Sequence, residues 1–386
     1  MDTGNITDNI IDSIQYIDME TDKLPSRARR KVKKNNIVYS TVRPNQRHFG
    51  IIKTQPENFL VSTGFAVIDT NDELLNADFL YYLLAQPALV ETLHAIAEQS
   101  TSAYPSIKPS DIEDLEIVIP SLATQKKIAG ILGSLDKKIT HNTEVNENLE
   151  KQLHALFDAF FIDLKYQDAV PLKHTDFGSI PESWQVMSIG DAQLDISDGN
   201  YSSKYPKQDE FLNSGIPFIR GTDFNGVNIS QKSMYYISPQ KHSELKKGHT
   251  KQGDVLITTR GDIGRIAFVP DSLVDANINS QLVRINGASL VPRSYLGCFL
   301  TSKRVQDDIR SLVSGSALQQ LPIGKLKRVL FLLPDKSTLK GFDALAEPIY
   351  QKIFFNNDEN YKLSALRDNL LTKLMSGELD VSELDF

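Results

Sequence analysis

The chain has 386 residues, of which 40% are hydrophobic and 24% charged, with a formal net charge of −7. That composition excludes an intrinsically disordered chain and leaves room for two cored domains plus connecting helices, while the acidic total speaks against a general polycation that coats nucleic acid. A single cysteine, Cys298, excludes an internal disulfide and a cysteine-based metal cluster, and is expected to pack in a core.

The N-terminal stretch MDTGNITDNIID has neither a basic region nor an apolar core, and the longest apolar run, FLYYLLAQPALV, is too short to span a bilayer. A soluble cytoplasmic chain without a membrane partner is expected. Between Lys23 and Lys53 there are about ten Lys or Arg and no Asp or Glu. The plain reading of such a run is a solvated face. This one, however, is interleaved with a strand, NIVYSTV, and a polar loop, RPNQRH, a construction that suits phosphate and base contact. The candidates there are Arg27, Arg29, Arg30, Lys33, Lys34, Thr41, Arg43, Asn45 and Arg47. Next, Phe59–Asp69 alternates as a strand and Ala77 to about Gln99 reads as one helix with Leu80, Leu83, Leu84, Val90, Leu93 and Ile96 toward a core. The segment SAYPSIKPSDIEDLEIVIP predicts a turn and a short buried strand, Leu115 to Ile119.

From Ser121 to about Lys165, apolar residues recur at intervals of three and four (Ile128, Ile131, Leu132, Leu135, Ile139, Val145, Leu149, Leu153, Leu156, Phe160), which predicts one long amphipathic helix. About 214 residues later, Asp335 to Met375 repeats the design with Phe342, Leu345, Ala346, Ile349, Ile353, Leu363, Leu366, Leu370 and Leu374. Pro120 with Ser121, and Pro334 with Asp335, mark equivalent helix starts. Some 40 helical residues make a rod of roughly 60 Å, for which a coiled coil is the economical partner arrangement. Asn142 and Asn356 interrupt the apolar seam at matching positions, either buried to fix register or solvated. Pro348 removes one backbone bond from the second helix and is expected to kink it.

The repeat extends beyond the helices. NNIVYSTVR aligns with QGDVLITTR, TGFAVI with SQLVRI, and SAYPSIKPSDIEDLEIVIP with SALQQLPIGKLKRVLFLLP. Only the second half carries PESWQVMSIGDAQLDISDGNYSSKYPKQDEFLNSGIPFIRG, so the first domain is expected to be N-terminally shortened. The expected division is residues 1–120 for a first domain, 121–165 for the first long helix, 170–334 for a second domain, and 335–386 for the second long helix and tail. In the second domain the polar, aromatic and basic loop Tyr201, Ser203, Lys204, Tyr205 and Lys207, with the strand-end residues Arg220, Thr259, Arg260 and Arg265, are the counterpart candidates, and Gln319 and Gln320 suit adenine. The RGDIGR turn reads equally as a hairpin or a close approach to phosphate, and Trp184 is expected to pack.

These features together resemble the specificity subunit of type I restriction-modification enzymes. IPSLATQKKIAGILGSLDKKI resembles that family's proline, glutamine and isoleucine-leucine motif at the start of its conserved helices, LLTKLMSGELDV its C-terminal ending, and VLITTRGDIGR its strand and Arg-Gly turn. The second helix departs from the motif, with Leu339 standing where the first copy has Gln125. The resemblance implies an α/β (α+β) chain of two tandem target recognition domains separated by two long antiparallel helices. It also implies double-stranded DNA, two methyltransferase subunits and restriction (translocase and nuclease) subunits as partners. No cofactor is expected in this chain; S-adenosylmethionine, ATP and Mg would belong to the partners.

No catalytic residue is expected: NPPY and DPPY are absent, as are a glycine-rich cofactor loop and a nucleotide-binding GxxxxGK[ST] loop. Glu244-Leu245-Lys246 is a nuclease-like fragment without an obvious acidic partner, and the seven histidines show no metal spacing. The rival readings are an impaired family member that reads one half-site, a coiled-coil interaction scaffold, and a stand-alone endonuclease.

Overall fold

Prolines and capping side chains set where the long helices begin. The structure, a computed structural model, describes the chain apart from residues 19, 55, 101–103, 168–169, 200–202, 316–318 and 385–386. The first long helix runs Leu122–Phe161 and the second Lys336–Ser376, passing through Pro348. Ser121 Oγ accepts the Thr124 N–H at 3.3 Å, and Asp335 Oδ1 accepts the N–H groups of Ser337 and Thr338, each at 3.0 Å. The caps differ in chemistry. Burial opposes ionisation of Asp335, but hydrogen bonds from Thr338 N–H, the Ser337 hydroxyl, Trp184 Nε1–H and the Thr338 hydroxyl outweigh it and hold the carboxyl well below the usual range. Because the folded value lies below the unfolded one, this cap stabilises fully above the ordinary Asp range and loses its contribution as pH falls through the folded value. Asp335→Asn will therefore flatten the stability of the chain against pH only in the acid range, as read by thermal melts from neutral pH downward.

The chain forms two compact units, residues 1–140 with 360–386 and residues 141–359, so each unit takes part of both long helices. In unit one, strands β1 (Ala28–Lys31), β2 (Ile37–Ser40), β3 (Phe49–Ile51), β4 (Leu60–Ser62) and β5 (Phe65–Ile68) make an antiparallel sheet β3-β2-β5 and a pair β1-β4. All four residues of β2 are buried, and Tyr39 stacks on Phe49 with ring centroids 5.0 Å apart. Helices α1 (Ala77–Leu84) and α2 (Pro87–Glu98) close the core, together with Ile128 and Leu132 of the first long helix and Leu371 and Leu374 of the second.

Two expectations need correction here. The alternating stretch Phe59–Asp69 is two strands, because a turn at residues 63–64 interrupts it. The helix from Ala77 to Gln99 is two helices, because Pro87 has no N–H to continue α1 and instead occupies the first turn of α2.

Unit two contains β6 (Gln185–Ser188), β7 (Asp195–Asp198), β8 (Ile216–Ile219), β9 (Tyr235–Ile237), β10 (Val255–Thr258), β11 (Ile266–Phe268), β12 (Asn277–Ile278), β13 (Leu282–Asn286) and β14 (Leu330–Leu333), with α3 (Pro239–Glu244), α4 (Arg293–Thr301) and α5 (Lys303–Leu312). They form the sheets β7-β13-β10-β11 and β9-β8-β12 and the antiparallel pair β6-β14. The central triplet β13-β10-β11 repeats β5-β2-β3 of unit one in order and direction. The core gathers Phe157, Phe160 and Phe161 of the first long helix, Phe342 of the second, and Trp184 and Tyr295. Cys298 packs there as expected, 3.3 Å from Tyr350 Oη, with burial pushing its thiol up to about 12.

A third correction follows from the repeat. In unit two, β14 pairs with β6, Leu332 facing Val186, and Leu332 is 1% exposed. The aligned segment Leu115–Ile119 is not a strand, and Val118, the counterpart of Leu332, is 96% exposed. Its expected burial fails because β6 lies in the stretch that only the second half of the sequence carries, so no strand among the described residues pairs with it.

The seam asparagines are buried. Within unit two, Asn142 Nδ2 donates to Glu359 Oε2 at 2.7 Å, Asn356 Nδ2 to Asn146 Oδ1 at 2.8 Å, and Asn146 Nδ2 to Asn357 Oδ1 at 2.8 Å, with Asn356 1% exposed. Asn356→Ala strands the Asn146 carbonyl in this seam and is expected to destabilise by about 1–3 kcal/mol in urea melts.

Candidate nucleic-acid interface

Each unit carries an arginine just past its central strand, but the aligned register slips by one residue: Thr41 N–H bonds Gly64 O where Thr259 N–H bonds Gln281 O, so Arg260 stands where unit one has Val42 and Arg43 comes one residue later. After β2, Thr41 Oγ1 donates to Gly64 O at 2.9 Å, and Arg43 takes a left-handed backbone (φ 50°) with its N–H on Pro105 O and its guanidinium 4.8 Å from the Tyr104 ring centre. After β10, the Arg260 guanidinium donates to Gln320 Oε1 at 3.1 Å. Backbone bridges Val42–Ser106 and Arg260–Gln320 hold the two sites, and Ser106 aligns with Gln320 in the repeat. Each site thus presents a planar cation beside an aromatic ring or an amide, groups that read base edges and stack on bases. Tyr104 is not one of the residues that the sequence marks for DNA. Its signal is its place in the repeat, four residues before Lys108, within the segment that follows the same strand in each copy.

Residues 259–265 connect β10 to β11, so the RGDIGR turn within them is a hairpin connection. Gly261 and Gly264 supply the positive φ values it needs, 72° and 93°, and a Cβ on Gly264 would meet Gln306 Oε1 at 2.7 Å.

The basic run is divided by β1. Arg27, Arg29, Lys34 and Asn45 are exposed, whereas Arg30 is half-buried. Lys33 pairs with Asp69 at 2.7 Å, and that carboxylate raises its pKa. Arg47 is tied inward by Asp8 at 2.6 Å and the Ala85 carbonyl at 3.0 Å. In unit two, Arg220 is held by buried Asp223 and the Ser233 carbonyl and lies 3.8 Å from the Tyr235 ring centre. Buried Thr259 donates to Gln281 O, and Arg265 donates to Phe224 O at 3.1 Å. Tyr205 packs edge-on to Phe218, and burial pushes its hydroxyl pKa up. Ser203, Lys204, Lys207, Gln319 and Gln320 are exposed, and Tyr201 lies outside the described residues. Arg47, Arg220, Thr259 and Arg265 therefore brace the loops, while the exposed groups form their outer surface.

A family model for the type I restriction modification DNA specificity domain matches residues 12–151 and again residues 181–354. The chain belongs to that family. Its relatives include the HindI specificity subunit of Haemophilus influenzae, 23% identical over 92% of this chain and 89% of that protein. Another is the MjaIX specificity subunit of Methanocaldococcus jannaschii, 28% identical over 87% of this chain and 76% of the relative. The solved type I restriction-modification S subunit from M. genitalium is similar in fold, with a TM-score of 0.52 at 17% identity over 89% of this chain and 83% of that one. The two matched stretches coincide with the two copies of the central sheet, so the specificity-family module is present twice. Among the described residues, no helix is long and apolar enough to cross a membrane.

Proposed function

We propose that this chain is the DNA sequence-specificity subunit of a type I restriction-modification system, reading a bipartite target and directing partner methyltransferase and restriction subunits to it. The observation that carries the reading is the doubled family module, each copy ending its central strand in an arginine beside a base-reading group. In this reading unit one addresses one half-site and unit two the other, through loops that carry Arg43 and Tyr104 or Arg260 and Gln320. Two methyltransferase subunits would dock through the repeated helices, and the chain would act in the cytoplasm. The chain itself supplies recognition; S-adenosylmethionine, ATP and Mg chemistry belongs to the partners.

Arg29, Arg30 and Lys33 are assigned to phosphates. Replacing all three by Ala is expected to weaken binding to every duplex alike and to lower the slope of log K against log salt by up to about 0.9 for each phosphate no longer neutralised. Fluorescence anisotropy across a salt series checks this, and an unchanged slope removes the assignment.

The function itself is tested by co-expressing the chain with the methyltransferase genes beside it and mapping methylated adenines in the host genome. A split motif that disappears with this gene supports the reading. A chain that binds the methyltransferase but yields no motif points to an impaired copy.

A further inference from the structure

Three side chains of unit two converge without bonding one another. His242, on α3, and His249 stack with ring centroids 4.2 Å apart. His242 Nε2 lies 3.5 Å and His249 Nδ1 3.7 Å from the same atom, Asp275 Oδ1. Those separations exceed a direct N–H···O bond of about 2.7–3.2 Å. They are close to the spacing of roughly 3.4 Å between two ligands on a tetrahedral zinc ion whose bonds are about 2.0–2.1 Å.

The opposite ring nitrogens are already committed. His242 Nδ1 bonds Asn277 Oδ1 at 2.5 Å, and His249 Nε2 bonds the Leu245 carbonyl at 2.6 Å. An amide or backbone oxygen can only accept, so each imidazole, when neutral, carries its proton on the far side and turns a lone pair toward Asp275. This is the arrangement by which outer hydrogen bonds fix the tautomer and aim of metal-ligating histidines. The frame is rigid: Leu245 is buried, a backbone bridge joins His249 to Asn277, and the Thr250 hydroxyl bonds the Leu273 carbonyl and the Ala276 N–H. Asp275 holds a left-handed backbone (φ 63°) with an exposed side chain, leaving a solvent side for a fourth ligand.

We infer that His242, His249 and Asp275 form a binding site for one divalent transition-metal ion of the zinc class, completed by water. Sequence spacing conceals it, because the two histidines stand seven apart around a helix end and the carboxylate comes from a separate loop. The ion would cross-link α3 to the segment entering β12. Lys241 of the same helix pairs with Glu210 at 2.6 Å, so the cross-link also braces the loop that carries Ser203–Lys207.

The full chain, stripped with EDTA and dialysed, is titrated with Zn2+ by calorimetry and with Co2+ by visible absorption. One equivalent is expected to bind, with four-coordinate Co2+ bands and a rise in melting temperature. Asp275→Asn keeps a residue that tolerates the left-handed backbone, and should weaken binding at least tenfold while leaving the metal-free melt unchanged. His249→Ala should abolish binding. No saturable uptake overturns the site, as does uptake that both variants leave unchanged, since the ion would then sit elsewhere and the three residues would be a plain polar cluster.

Discussion

Phe342→Ala is expected to remove about 3–5 kcal/mol from unit two, a large share of the roughly 5–15 kcal/mol that holds a domain folded. Phe342 is fully buried, and its ring lies 5.0 Å from Phe161, 5.6 Å from Phe160, 6.2 Å from Phe157 and 6.3 Å from Tyr295, centre to centre. Truncation removes the transfer free energy of a phenyl group, leaves a cavity that these rigid rings cannot close, and ends several edge-to-face interactions at once. The only tryptophan, Trp184, sits in the same core 5.8 Å from Phe161, so its fluorescence in a urea titration reports this unit directly. An unchanged midpoint would falsify the assignment of Phe342 to the centre of the core. Val118→Ala is the control, since a side chain 96% exposed has almost no burial to lose.

Inserting one heptad into each long helix is expected to change the DNA target without changing what is read at either end. Seven residues add about 10 Å of helix and preserve the face that a seam presents to its partner, because seven residues are close to two turns. At about 3.4 Å per base pair, the unspecified gap of the methylated motif should lengthen by about three base pairs. The insertion belongs between residues 136 and 142 of the first helix and directly opposite, between 360 and 366, in the antiparallel second, because Asp136 pairs with Arg367 and Asn142 with Glu359. Asp136 stays opposite Arg367 while Asn142 stays opposite Glu359 only if both helices grow together, so the single insertions should destabilise and the double should not. Methylome mapping gives the answer. A half-site sequence that changes with the insertion would sink the idea that the helices act as spacers separate from recognition.

The long helices, the repeat and the central strands are legible in the sequence because each is written in period: apolar residues at three and four over ten turns, and β-branched runs bounded by polar turns. The caps are legible because Pro followed by Ser or Asp admits few other conformations. What escapes is decided by partners distant in sequence. Pro87 is visible as a residue, but its power to split a helix is masked by the continuous apolar pattern on either side. Leu115–Ile119 has strand composition, yet a strand exists only where another pairs with it. At the candidate interface, Arg43 and Arg260 are recognisable as strand-end residues, but nothing in the sequence tells them from Arg47 and Arg220, whose guanidinium groups are committed to Asp8 and Asp223. The histidine pair escapes for the same reason, since its third member arrives through tertiary folding alone.

The bare Glu116–Ile119 stretch sets how the purified protein will behave in the tube. With Val118 96% exposed and no strand beside it among the described residues, this β-prone stretch offers neighbouring molecules a template, and proteins ordinarily blunt such templates with lysine or cover them. Concentrated samples should self-associate through this stretch first, so that Val118→Lys raises the concentration at which light scattering begins while leaving the melting temperature in place. For anyone preparing the chain, that position is one where colloidal stability can be raised without disturbing the fold.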